Sequence, residues 1–264
     1  MDNKIGLKEK RLGEERRNTF GTLMKIVEYK DALDIWVEFQ DEHKEKVHTT
    51  YQNFKRGGVK NPYDKEVCGV GYYGVGKYKA SDNGKLTDAY EIWKSMLTRC
   101  YDPYFINKEP TYIDCYVCEE WLNFQNFAKW FYENVYNCNN ERMSLDKDIL
   151  IKGNKVYSPE TCMLVPQRIN MLFVKRDAKR GEYPIGVHYH KGNGKLMVRC
   201  GVFENGRTKR IYLGSFPLDK PFQAFYAYKT FKENYIKQVA DEYKDLIPTK
   251  LYEAMYAYEI EIND

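Results

Sequence analysis

The amino-acid sequence predicts an α+β protein, with antiparallel strands near both ends of the chain and helices between them. Short segments that alternate or cluster apolar residues at strand length lie within residues 19–54 and 186–216. Segments 87–100 and 119–136 instead repeat apolar residues at helical spacing. Residues 144–173 have the pattern of a strand, a polar loop, a second strand and the start of a helix.

Length and composition limit the domain number and the type of partner. A chain of 264 residues suggests two or three small domains, and a hydrophobic fraction of 43% excludes wholesale disorder. The net charge of +4 does not by itself indicate an anionic partner. Its distribution is more informative, because residues 181–215 hold six Lys or Arg against two acids, whereas residues 216–264 hold six against nine. We therefore predict a local basic face in the first of these segments.

The sequence also predicts a cellular compartment. No apolar run approaches the length of a membrane span, and the first residues lack the apolar core of a signal peptide. Seven cysteines, an odd number without framework spacing, fit reduced thiols. These features predict a soluble, cytoplasmic protein that has no membrane partner.

The first 82 residues are predicted to form a small β-rich accessory domain. Segments 22–29, 34–41 and 46–54 have strand length and strand pattern, which indicates a small antiparallel barrel or a curled sheet. The Gly- and Pro-containing turn 54–63 then carries three positive charges. A DNA-touching rim is one interpretation of this turn, and a solvated turn is the favoured one. The charges belong to Lys55, Arg56 and Lys60.

A glycine motif at residues 69–78, GVGYYGVGKY, has the spacing of a dinucleotide-binding loop. The sequence around it does not predict the βαβ unit that such a loop needs. We therefore expect a flexible turn or bulge and no small-molecule substrate.

Two amphipathic helices are predicted in the middle of the chain. Thr87 is expected to cap the first, and an aromatic stripe on the second is expected to be core. Cys115 and Cys118 form a Cys-x-x-Cys pair, for which a structural zinc site is an alternative. The chain has no second Cys-x-x-Cys pair, so buried thiols are favoured over zinc.

Polar residues flank the strands of segment 144–170. Asp146 is expected at the end of the first strand, and Gly153-Asn154 turns the chain. Pro166 fits the first position of a helix that carries Asn170. Carboxylate and amide oxygens are ligands that a hard divalent cation takes, and Lys147 beside them could stabilise charge on a phosphate.

This segment resembles the ββα-metal core of the HNH endonucleases, in the variant of the phage homing-type enzymes. Two further motifs carry the resemblance, Arg99-Cys100-Tyr101 at the end of the first helix and Val-Cys-Glu-Glu-Trp at 117–121. The resemblance covers roughly residues 90–173 and defines a nuclease domain at 83–178.

The resemblance implies three catalytic positions, Asp146, Lys147 and Asn170. Asp146 and Asn170 would bind Mg²⁺, or Mn²⁺, and Thr161 lies near the family's loop Asn, whose role is to tie the loop down. Lys147 stands where the family has its general-base His, and a Lys is protonated at neutral pH unless its pKa is strongly lowered. The base is left open between Lys147 with a lowered pKa, a His from another domain, and solvent.

Residues 179–264 are predicted to form a DNA-binding domain, and about residues 183–243 of it resemble the APETALA-type and integrase-type DNA-binding domains, in which a three-stranded sheet enters the major groove and a helix packs behind it. The motifs are GVHYHKGNGKLMVR and YLGSF, followed by a long amphipathic helix from Pro221. His188 and His190 share a strand face, where a DNA-facing or solvated pair is favoured over a metal site. The residues expected to contact DNA are Lys191, Lys195, Arg199, Arg207, Lys209 and Arg210.

These expectations combine into a metal-dependent endonuclease that nicks or cuts double-stranded DNA at a site recognised by the C-terminal sheet. One alternative is a catalytically degenerate DNA-binding protein that acts as a repressor or roadblock. Another is a phage protein that binds a host protein, for which the sequence gives no positive signal. The phage resemblance implies the cytoplasm of a bacterial host cell.

Overall fold

The computed structural model describes residues 2–174, 182–204 and 207–264. The chain divides into two compact units, residues 1–133 and 134–264. The α+β class is confirmed, because antiparallel sheets occur in the N-terminal and C-terminal parts, with helices between them in the sequence. The division into three domains stays a prediction. The sequence also predicts a basic connector at residues 174–184 and a hairpin turn at NGRT, residues 205–208. Residues 175–181 and 205–206 of these segments lie outside the described residues.

The first unit opens with a four-stranded antiparallel sheet in the order β1-β2-β3-β4. The sheet is open, so the barrel alternative is wrong. The strand predicted over 46–54 ends at Thr49, because the Thr50 hydroxyl accepts a hydrogen bond from the backbone of Asn53 and caps a helix. The elements are α1 (Asp2–Arg11), β1 (Glu15–Arg17), β2 (Leu23–Asp31), β3 (Asp34–Phe39), β4 (Lys46–Thr49) and α2 (Tyr51–Lys55).

The rest of the first unit is helical and has an aromatic core. The Thr87 hydroxyl accepts a hydrogen bond from the backbone of Tyr90 at 3.3 Å, which confirms the predicted cap. Trp93 donates its indole N–H to the carbonyl of Trp121 at 2.7 Å, and both rings are fully buried. The elements are β5 (Ser81–Asp82), β6 (Lys85–Leu86), α3 (Asp88–Tyr101), α4 (Pro103–Lys108), a 3-10 turn (Pro110–Tyr112), β7 (Tyr116–Val117), α5 (Glu119–Leu122) and α6 (Phe124–Asn134).

The glycine motif at 69–78 packs against α3. A Cβ atom on Gly71 would lie 2.3 Å from Leu97 Cδ1 and 3.0 Å from Trp93 Cζ2, closer than van der Waals contact allows. Since Leu97 and Trp93 are themselves fully buried, they have little room to move. Close packing therefore explains this glycine without a nucleotide.

The second unit contains the strand-loop-strand-helix segment, a three-stranded sheet and the longest helix. Strands β8 and β10 pair antiparallel, with Met163 opposite Asp146 and Pro166 opposite Met143. Pro166 is the last residue of β10, and α7 begins one residue later than predicted. The elements are β8 (Met143–Asp146), β9 (Val156–Tyr157), β10 (Met163–Pro166), α7 (Gln167–Phe173), β11 (Val187–His190), β12 (Lys195–Glu204), β13 (Arg207–Phe216), α8 (Pro221–Tyr243) and α9 (Thr249–Ala257).

One hydrophobic core joins these parts of the second unit. The sheet has the order β11-β12-β13, as the sequence predicts, and α8 packs against all three strands. Val165 and Ile169 from the strand-helix segment belong to the same buried cluster as Val198 of the sheet and Ile236 of α8. Within the described residues, no helix combines the length and apolar character that crossing a membrane requires.

We expect Gly71→Ala to destabilise the first unit by about 1–3 kcal/mol, the usual cost of overpacking a tight core. The change is measured by chemical denaturation of the purified protein. Gly69→Ala is the matched control, because its φ is +73° and nothing lies within 4 Å of the added Cβ, so only backbone strain applies. Equal stability of Gly71→Ala and the wild type would contradict the packing explanation.

Candidate functional site

Asp146 is the last residue of β8 and shapes the turn that follows. Its Oδ1 accepts hydrogen bonds from the backbone N–H groups of Asp148 at 2.8 Å and Ile149 at 2.7 Å. Burial raises the pKa of the Asp146 carboxyl, and these two backbone donors oppose that rise. Among the described residues, its second oxygen, Oδ2, accepts no hydrogen bond. Asp146 therefore has a structural role in the turn and one oxygen left for a cation.

Lys147 is buried, with 7% of its surface exposed. Its ammonium donates to Asp148 Oδ2 at 2.7 Å and to the backbone carbonyl of Asn154 at 2.5 Å. The bond to Asn154 joins the two ends of the loop between β8 and β9. Contact with a phosphate, or action as a base, would require Lys147 to break them, so the geometry favours a structural role.

Asn154 closes the same loop and was missed as a site residue by sequence reasoning. Its Nδ2 donates to the carbonyls of Lys147 at 2.9 Å and Val156 at 2.6 Å, and its Oδ1 accepts from the Val156 N–H at 3.1 Å. Tying down the loop is the role that the HNH resemblance gives to a loop Asn near Thr161. Thr161 contributes a single bond to this loop, from its hydroxyl to the Val156 carbonyl at 2.8 Å. The sequence does show an Asn at position 154, but the Gly153-Asn154 pattern predicted only a turn there.

Asn170 lies in the middle of α7, which packs against β8 and β10. The residue is half-buried, and within residues 2–174, 182–204 and 207–264 its side chain has no hydrogen-bond partner. In the same ranges, no three His, Cys, Asp or Glu side chains converge on a common point, as a metal centre built from these types would need. A carboxylate and an amide fit Mg²⁺, which usually keeps several waters and takes one or two protein ligands. The unpartnered oxygens of Asp146 and Asn170 are consistent with that chemistry.

A tyrosine from the segment after α9 lies near this loop, which the sequence did not indicate. The ring of Tyr258 packs edge-on against Phe173, with 4.7 Å between centroids, and Lys152 Nζ lies 5.5 Å from the Tyr258 centroid. Burial raises the pKa of Tyr258, and the nearby carboxylates, including those of Asp148 and Asp146, add to the rise. The final residues thus border the candidate metal site.

The six predicted DNA contacts divide between different parts of the C-terminal sheet. On β12, buried Val198, Cys200 and Val202 face α8, so the exposed Arg199 between them points to the opposite, outer face. Strand pairing aligns Gly201 with Arg210, which places that arginine on the outer face as well. Lys195 shares this face by the same alternation.

The other three predicted contacts do not join them. Arg207 pairs with Glu204, and Lys209 pairs with Val202, so both belong to the opposite face, at the end of the strand pair where β12 leads into β13. Lys209 Nζ lies 3.8 Å from Glu204 Oε2. Lys191 lies in the turn between β11 and β12.

His188 lies within the outer basic group. Its pKa is lowered by burial first, and then by the positive charges of the nearby arginines, Arg199 and Arg210. The lowered pKa favours the neutral form of His188, which can accept as well as donate a hydrogen bond. We refer to Lys195, Arg199, Arg210 and His188 together as the outer basic face.

No protein-family model, curated protein or solved structure matches the chain. The HNH and APETALA-type resemblances therefore stay predictions that depend on sequence motifs. A proposed function must therefore be argued from the chemistry of the described side chains.

Asn154→Ala and Asn170→Ala should differ in stability. Asn154→Ala removes three hydrogen bonds from the loop, and we expect it to lower the free energy of unfolding by about 1–3 kcal/mol. Asn170→Ala removes a side chain with no hydrogen-bond partner among the described residues and should leave stability within about 0.5 kcal/mol. Urea denaturation measures both. Equal destabilisation would show that Asn170 also has a structural role.

Proposed function

We propose that the chain is a metal-dependent DNA endonuclease that nicks or cuts double-stranded DNA held by its C-terminal sheet. The observation that carries the proposal is the half-buried carboxylate of Asp146. Two backbone N–H groups fix one of its oxygens, and the other oxygen has no partner among the described residues. Such a rigid, partly desolvated carboxylate is suited to binding a divalent cation.

Each residue of the candidate site would have a different role. Asp146 and Asn170 would hold Mg²⁺ or Mn²⁺, and the bound ion would stabilise negative charge on the phosphate and the leaving oxygen. Asn154 and Lys147 keep the loop closed, next to the turn whose backbone N–H groups hold Asp146 Oδ1. The outer basic face would bind the phosphates of the duplex. Of the three general bases considered, Lys147 is disfavoured by its internal bonds, which leaves a histidine or solvent.

A DNA-binding protein without cleavage is the second candidate. Its support is the position of Lys147, a buried cation where the HNH resemblance requires a base. Such a protein would act as a repressor or roadblock. A role in binding a host protein has no supporting observation in the described residues.

Cleavage assays distinguish the two candidates. Supercoiled plasmids and phage and bacterial genomic DNA are incubated with the protein and Mg²⁺ or Mn²⁺, and the products are separated on native and denaturing gels. We expect nicks or breaks that a chelator abolishes. DNA binding without cleavage in either metal would favour the second candidate.

Asp146→Asn is the sharpest test of the metal site, because an amide oxygen can still accept the two backbone hydrogen bonds. We expect the fold to be retained and cleavage to be lost. Divalent-metal affinity should fall by more than the ~10–100-fold that loss of an outer-shell partner costs. Calorimetric titration measures the affinity. Asp148→Asn is the matched control, since it removes the same charge two residues away and should retain metal binding. Unchanged affinity in Asp146→Asn would refute the assigned ligand.

Asp146→Ala removes the turn as well as the ligand. From the sequence alone, Asp146→Ala is expected to leave the fold intact, because a ligand at the end of a strand faces a solvent-accessible site. The two backbone hydrogen bonds to Oδ1 argue against that expectation. We therefore expect Asp146→Ala, unlike Asp146→Asn, to lower the free energy of unfolding by about 1–3 kcal/mol.

Two double variants with equal charge change test the DNA face. Arg199→Ala with Arg210→Ala removes outer-face cations, whereas Arg207→Ala with Lys209→Ala removes cations from the opposite face. The first should weaken duplex binding and reduce the slope of log K against log salt by about 2, because fewer counterions are released. The second should change the slope by less. Fluorescence anisotropy at several salt concentrations measures both, and equal slopes would contradict the assignment of the face.

A further inference from the structure

One edge of the central strand β12 is open along half its length. Strand β11 pairs only with residues 195–198, from His190 opposite Lys195 to Val187 opposite Val198. No described strand pairs with residues 199–204 on that side. A cavity follows this edge, with walls from α7, α8 and the sheet.

A buried lysine lines the cavity and has no role in the proposed cleavage. Lys232 lies on α8 and is 8% exposed. Its ammonium is 5.9 Å from the Tyr235 centroid, and no described carboxylate or hydrogen-bond acceptor pairs with it. Burial lowers the pKa of Lys232, because the charged form is poorly solvated there. A buried cation of this kind is suited to an anion that enters the cavity.

Other groups around the cavity could contact the same anion. Arg199 and Arg210 line it and are exposed, and neither is paired with a described carboxylate. The acids on its wall are already engaged, since Glu141 accepts from the Tyr243 hydroxyl and Asp264 accepts from Lys152 at 2.8 Å. The unneutralised charge near the β12 edge is therefore positive.

The backbone adds a donor at the open edge. Arg199 N–H donates to the Gly186 carbonyl at 3.2 Å, and Phe203 N–H donates to the Tyr235 hydroxyl at 2.7 Å. Because the direction of N–H groups alternates along a strand, the N–H of Gly201 points toward this same edge. Gly201 is exposed and carries no side chain to block approach.

We propose that this cavity binds a phosphate group, with Lys232 as its buried contact and Arg199, Arg210 and the Gly201 N–H at its mouth. Several cations and a backbone N–H suit an anion of more than one charge and several acceptor oxygens. The phosphate comes from a free nucleotide or from the DNA backbone. Binding of the DNA backbone rests on the proposed function, whereas binding of inorganic phosphate does not.

Thermal unfolding in inorganic phosphate tests the site, with KCl at equal ionic strength as the reference. At a phosphate concentration about ten times Kd, the Tm of the wild type should rise by about 3 °C over the reference. Lys232→Met should unfold at an equal or higher temperature without phosphate, because it removes a buried charge, and it should lose the phosphate effect. Lys244→Met, on an exposed residue just after α8, should retain it. Equal phosphate effects in the wild type and Lys232→Met, or no effect beyond KCl, would overturn the proposal.

A measurement on the unmodified protein covers the case in which Lys232→Met does not fold. Lysines are acetylated with an amine-reactive ester, and the rate at each position is read by mass spectrometry. Phosphate should slow labelling of Lys232 at least about tenfold at saturation, with little change at Lys244. Labelling of Lys232 that phosphate does not slow would reject the site.

Two further protectants distinguish the source of the phosphate. Protection by a deoxynucleoside monophosphate at lower concentration than inorganic phosphate indicates a free nucleotide. Protection by duplex DNA, but not by the monophosphate beyond the level of inorganic phosphate, indicates the DNA backbone. Failure of the cleavage assay leaves the inorganic phosphate result intact, so the two proposals can fail separately.

Discussion

The hydrogen bonds that close the loop after β8 are the constraint on which the candidate metal site depends. Asn154 bonds to both ends of the loop, and the Lys147 ammonium reaches the Asn154 carbonyl from the other side. Without this closure the turn at Asp146 would lose part of its support, and only the backbone N–H groups of Asp148 and Ile149 would hold the carboxylate. A metal ligand that is fixed before the cation arrives has less conformational entropy to lose on binding. Under the proposed function, the closed loop would present the Asp146 carboxylate to a cation in a fixed direction.

The second structural constraint is the continuous core of the second unit. Ile169 of α7 and Val198 of β12 belong to one buried cluster, so α7 and the C-terminal sheet are packed into a single body. Polar contacts reinforce this arrangement, since Arg168 of α7 pairs with Glu242 of α8 at 2.6 Å. Lys152, in the loop, also bonds to Asp264 at the other end of the unit. A duplex held on the sheet would thus lie at a fixed distance from Asp146.

The strand period determines where the positive charges of the sheet act. Basic residues are frequent from Lys191 to Arg210. Because side chains alternate between the two faces of a strand, Arg199 and Arg210 lie on one face of the sheet and Arg207 and Lys209 lie on the other. The open edge of β12 adds a third environment, in which Lys232 from α8 is buried beside the sheet. A segment that is net basic in sequence therefore contributes to several distinct surfaces in the fold.

The sequence by itself determined the α+β class, the capped helix at Thr87 and the three strands followed by α8, because these depend on local periodicity and capping. It also identified Asp146 and Asn170 as oxygen donors from residue type and spacing. Only the tertiary structure decided that Lys147 is buried, that Asn154 closes the loop and that Tyr258 borders the site, because each involves partners distant along the chain or a burial that composition does not encode. The division of the six cations between faces likewise required the strand register. Periodicity predicts that faces alternate, but only the packing of α8 on one of them decides which face is covered.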